Sequence, residues 1–120
     1  MSNPGATPLA AGTVAMAGLM FSALYALTGR LWVPIAAHFA WNFAQGYLFG
    51  AAVSGGDLGS SVAVSTPNPR VGSWLSGGDF GPEASVFALV VLTAVTVAAF
   101  VAMASVWARR VAPLLHRQTR

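Results

Sequence analysis

The chain has no cysteine and no lysine, and its acidic residues number three, Asp57, Asp79 and Glu83. Without cysteine there is no disulfide, no thiolate metal ligand and no cysteine nucleophile, whatever the compartment. Without lysine, all six basic residues are arginine. Together with the abundance of Ala, Val and Gly, this reads as coding bias in a GC-rich bacterial genome. Charged residues make up 8% of the chain, where soluble domains carry about a quarter. That scarcity excludes an ordinary soluble domain.

What is present is apolar. Hydrophobic residues reach 56% and the mean hydropathy is +0.67, which marks a small integral membrane protein whose first partner is the lipid bilayer. The net charge of +3 is no sign of nucleic-acid binding. Arg109, Arg110, Arg117 and Arg120 follow a hydrophobic run, where a topology signal explains them better.

Three apolar segments predict an all-α bundle of three transmembrane helices, about 9–28, 31–52 and 84–108. Roughly 19 apolar residues at 1.5 Å each span about 28 Å, close to the hydrocarbon thickness. Open strands would leave unsatisfied edges in lipid. The first segment closes at Thr28-Gly29-Arg30 and lacks the basic flank of a signal peptide. An irregular Gly-, Ser- and Pro-rich loop fills 53–82, with a turn cluster at Thr66-Pro67-Asn68-Pro69. Pro82 is expected at the first helical position of the last helix, with Glu83 at its positive dipole end. Trp74 and Phe80 suit a membrane interface. Small-residue ridges, Gly18/Ser22/Ala26 and Ala94/Ala98/Ala102, are expected at helix contacts.

The whole of 1–120 reads as one membrane domain, with 109–120 a basic cytoplasmic tail. Arginine placement puts the C-terminus and Arg30 in the cytoplasm, the N-terminus outside, and the protein in the bacterial inner membrane as a multi-pass chain. The three acidic residues then fall on the outer side, far from the middle of the second helix.

That helix carries the one concentration of chemistry. His38 and Asn42 lie four residues apart, on one helical face, and Gln45 continues the stripe. Polar groups at membrane depth usually face a protein interior, a water-filled cavity or a metal. Imidazole can bind a divalent metal through one nitrogen, and an amide oxygen one turn on can join it or serve the substrate. Pro34, one turn before, frees a backbone carbonyl. The bland alternative is a pair of interhelical hydrogen bonds worth about 1 kcal/mol. A hydrolytic zinc needs about three protein ligands and a base. No glutamate lies within an apolar span, His116 belongs to the tail, and no Gly-x-Ser-x-Gly elbow occurs.

The run Gly29-Arg-Leu-Trp-Val-Pro-Ile-Ala-Ala-His-Phe-Ala-Trp-Asn42 resembles the last catalytic motif of the CPBP family, the CAAX prenyl endopeptidase relatives also called Abi proteins. Leu75-Ser-Gly-Gly-Asp-Phe-Gly-Pro-Glu-Ala-Ser85 is similar to a stretch leading into a late helix of many bacterial members. The resemblance covers about Gly12 to Ala108 and implies an intramembrane metalloendopeptidase. It would make His38 a metal ligand, Asn42 a catalytic partner beside it, zinc or another divalent metal the cofactor, and a peptide or membrane protein the substrate. The family's Glu-Glu-x-x-x-Arg and Phe-x-x-x-His motifs do not occur in these 120 residues. The chain therefore reads as the C-terminal part of such a protease, without tight metal binding and inactive alone. The rival reading is a non-catalytic small membrane protein with a partner, immunity or scaffold role.

Overall fold

The computed structural model describes Asn3 and residues 5–118, with side chains through Arg109. The expectations placed on Arg120 and on the side chains of Arg110, His116 and Arg117 lie outside the described residues. Among the described residues the architecture is all-helical, with one isolated bridge, Val53 to Gly56, and no strand.

Helix α1 spans Pro8–Thr28. It starts there because Thr7 accepts a hydrogen bond from the Ala10 amide at 3.1 Å, and Pro8 needs no amide partner in the first turn. It stops at Gly29, whose φ of 64° lets its N–H reach the Tyr25 carbonyl. Helix α2, Trp32–Asn42, follows after a tight turn and packs back on α1. Pro34 is the third residue of α2, so its missing donor falls among amides that have no partner anyway. The Arg30 carbonyl accepts from the Val33 amide at 3.2 Å instead. The carbonyl that Pro34 is expected to free is therefore taken.

The second segment does not run as one span from 31 to 52. At Phe43 the α-helix widens into a π-helix, Phe43–Leu48, with the Phe49 amide bonding to the Ala44 carbonyl at 3.0 Å. The loop ends it. Val62 and Ala63 donate their amides to the Tyr47 and Leu48 carbonyls at 2.9 and 3.1 Å, satisfying groups that a helix terminus leaves open. Leu58 of the loop packs its side chain against Gly46, in the space a Cβ there would take.

The rest of the loop folds onto the bundle rather than standing away from it. It contains α3, Ser73–Ser76, and two 3₁₀ turns, Gly78–Phe80 and Pro82–Ala84. Gly55 N–H donates to the Phe80 carbonyl at 2.8 Å, and Asn68 turns the chain by accepting from Arg70 N–H at 2.9 Å. Gly81, at φ 105°, lies against the Ala52 carbonyl, a conformation and an approach that exclude a Cβ. Phe80 is buried against Ala10 and Ala84, not placed at an interface, whereas Trp74 is exposed.

Helix α4 spans Val86–Gln118. Its cap is Ser85, whose hydroxyl accepts from the Ala88 amide at 3.2 Å. Pro82 opens the preceding 3₁₀ turn, so the helix starts after the expected position. The Ala10–Phe80–Ala84 cluster brings the start of α1 to the turn before α4, so the two helices run side by side in the same direction. The seam between them buries Ala10, Thr13, Met20 and Ala23 of α1, with Ala88, Leu92, Thr96 and Ala99 of α4. The expected ridges lie elsewhere: Gly18, Ser22, Ala26, Ala94 and Ala98 are exposed, and Ala102 is half-buried. Thr13 and Thr96 donate to their own helices, to Leu9 and Leu92 carbonyls at 2.6 and 2.7 Å. Both can therefore be buried without an unmet hydroxyl.

Two described helices are long and apolar enough to cross a membrane, Pro8–Thr28 and the Val86–Arg109 portion of α4. Only 22% of each span's apolar window is buried, which a soluble core helix would not show. Val14, Leu19, Val90, Val97 and Val101 are among the large apolar side chains left facing outward, as lipid contact requires. The third expected span is reduced to α2 and its π continuation.

Candidate functional site

His38 and Asn42 project from α2 one turn apart, beside α1. The imidazole lies against Phe21 of α1, ring centroids 5.0 Å apart and planes at 30°. His38 is exposed and Asn42 half-buried. Among the described residues neither side chain has a hydrogen-bond partner.

The pair stands between two cavities. One is an open groove of about 550 Å³ between α1 and α2, walled by Tyr25, Leu31, Ile35 and Phe39 with Phe21. The other is a more enclosed cavity of about 370 Å³ among α1, α2 and α4. Phe21, His38 and Asn42 line both. Ser22 borders the open groove, but its hydroxyl is committed to the Gly18 carbonyl at 2.8 Å.

The enclosed cavity holds a residue that sequence reasoning placed far away. Glu83 lines it together with His38, Asn42 and Ser54. The loop is the cause: residues 51–56 fold back on 80–83, and the Ser54 hydroxyl donates to Glu83 Oε1 at 2.5 Å. Asp57 and Asp79 remain exposed and line neither cavity. Gly55 and Gly81, both at positive φ, permit the return of the loop, but nothing in the sequence says where that return leads.

Gln45 parts from the stripe. It is buried, 7% exposed, and its Nε2 donates to the Ala52 carbonyl at 2.6 Å. The change to π geometry carries it away from both cavities that hold His38, and its amide fastens the loop instead.

As a metal centre the described residues fall short. One imidazole, one amide and one carboxylate border the enclosed cavity, and no group of three or more His, Asp or Glu placed to hold a metal occurs among the described residues. A hydrolytic zinc takes about three protein ligands, so no step can be routed through a metal held by these residues.

Comparison with known proteins bears on the same segment. Residues 3–44 match the Rce1-like family model, described as type II CAAX prenyl endopeptidase Rce1-like. The match agrees in kind with the resemblance read at Gly29–Asn42 and leaves the Leu75–Ser85 stretch outside it. Comparison with curated proteins and with solved structures gave no match. The similarity to the Rce1-like type II CAAX prenyl endopeptidases is thus confined to residues 3–44, which hold α1, α2, His38 and Asn42.

Proposed function

We propose that this chain supplies the His38–Asn42 wall of a membrane-embedded endopeptidase site of the CAAX-protease type. The observation that carries the reading is the unpartnered pair itself, set between two cavities inside the segment related to that family. In this reading His38 would be one ligand of a divalent metal completed by residues of other helices, and Asn42 would stand beside it toward the scissile carbonyl. The substrate is a peptide or a membrane protein. Further membrane helices cover the open groove and bring the missing ligands and base. The described residues alone do not hydrolyse a peptide.

The reading also takes the chain as a multi-pass protein of a bacterial inner membrane with its C-terminus in the cytoplasm. The parallel course of α1 and α4 supports this, because it puts Arg30 and Arg109 at the same end of the bundle.

The test is made on the full chain, purified in detergent and assayed for zinc content and peptidase turnover. Sub-stoichiometric zinc and no turnover are expected. Stoichiometric zinc with turnover abolished in His38→Ala would overturn the inactivity of the isolated chain.

A further inference from the structure

The carboxylate at the far side of the enclosed cavity has no role in the reading above. Glu83 accepts one hydrogen bond, from Ser54, and no arginine lines the cavity. Ser54 is also the only non-glycine residue among those described with a positive φ, 50°. Such a backbone is uncommon for serine, and here it aims the hydroxyl at Glu83. Most of the remaining wall is apolar, including Val14, Ala17, Met20 and Leu92. A half-buried carboxylate in apolar surroundings is stabilised by a positive charge.

We infer that this cavity binds the basic side chain of a peptide, with Glu83 and Ser54 receiving the ammonium or guanidinium group. The cavity, about 370 Å³, falls in the range of organic-ligand pockets and far exceeds the room a bare metal ion occupies. Lysine and arginine carry an aliphatic stem that lies along apolar walls while the charged end reaches a polar group. Glu83 stands in the turn just before α4, at the end of the spans. A basic side chain can approach it from the membrane boundary while the peptide backbone extends toward His38 and Asn42. The inference deepens the proposed function by naming a substrate feature, a lysine or arginine near the bond presented to that pair. It rests on that reading for its biological sense and on the cavity alone for the binding.

The experiment measures binding, not turnover, so its failure is separate from failure of the peptidase reading. Isothermal titration of the full chain in dodecylmaltoside uses a capped leucine–alanine hexapeptide with one central lysine. Norleucine and glutamate versions are the comparisons. The lysine peptide is expected to bind about tenfold or more tighter than the norleucine one, the worth of a charge-assisted hydrogen bond, and the glutamate peptide weakest. Glu83→Gln keeps an acceptor for Ser54, so the fold survives while the lysine preference disappears; Asp57→Asn, outside the cavity, retains it. Equal affinity for lysine and norleucine peptides would overturn the inference, as would a lysine preference that persists in Glu83→Gln. Zinc titrated without peptide is the third arm. Tight zinc binding lost in Glu83→Gln would assign the carboxylate to a metal and overturn the organic-cation site.

Discussion

The α1–α4 seam and the α1–α2 face are built from one helix's two sides, and they are finished to different degrees. On the seam, small side chains close the gap and every buried hydroxyl is satisfied by its own helix. On the other face, Phe21, Tyr25, Ile35 and Phe39 flank a groove, with a polar pair that nothing answers among the described residues. The seam holds this bundle together. On the proposed reading the groove takes a helix or a substrate from outside this bundle, so that one chain is a folded unit and one wall of a site.

The contrast breaks most sharply at the seam. Ala10 and Ala99 are 2% and 4% exposed, and a larger side chain there must push the helices apart. Ala10→Leu and Ala99→Leu should each destabilise by about 2–3 kcal/mol, the ordinary cost of overpacking. Ala94→Leu and Ala36→Leu, on exposed positions, should stay within about 0.5 kcal/mol. Unfolding in mixed SDS–dodecylmaltoside micelles, followed by tryptophan fluorescence, ranks them. Equal effects at Ala94 and Ala99 would mean that the helices pack on the other ridge.

A smaller effect is expected where the loop is fastened. Gln45→Ala removes the only described hydrogen bond to the Ala52 carbonyl and should cost about 1–2 kcal/mol. Its signature is local. Amide exchange should quicken around 51–56 and 80–83, the two strips the loop brings together, while the α1–α4 seam stays protected. Uniform loss of protection would show that the loop and the seam unfold as one unit.

These two regions also mark what the sequence could and could not reveal. Hydropathy located α1 and α4, and Thr28-Gly29-Arg30 marked the end of α1, because apolar length and a glycine stop act locally. The i, i+4 spacing of His38 and Asn42 put both on one face, and both line the same two cavities. The end of the second helix was not legible, since carbonyls of Tyr47 and Leu48 are taken by amides of a loop more than a dozen residues on. Pro82 and Glu83 looked like a helix start because they satisfy the local rules for one. Ser85 won by supplying the hydroxyl cap. The packing ridges were misplaced because small residues occur on every face of α1 and α4, and only the partner decides which is used. Glu83 entered the site through a loop return, a through-space relation that no spacing encodes.

The smallest expected effect belongs to the pair at the groove. In the isolated chain Asn42→Ala should change stability by less than about 0.5 kcal/mol, as at a surface position. His38→Ala should cost no more than about 1 kcal/mol, from the lost tilted ring contact with Phe21. The same micelle unfolding measures both. These substitutions would be near-silent here for the reason that makes them informative elsewhere: groups without partners contribute little to a fold. Once a further helix covers the groove, each must be hydrogen-bonded or leave a buried polar group unmet on its partner. The cost of Asn42→Ala should then rise above 1 kcal/mol, in the range for an orphaned buried group. A large loss in the isolated chain would mean that the pair already belongs to the packed interior, and the open groove would cease to be the place where a partner helix enters.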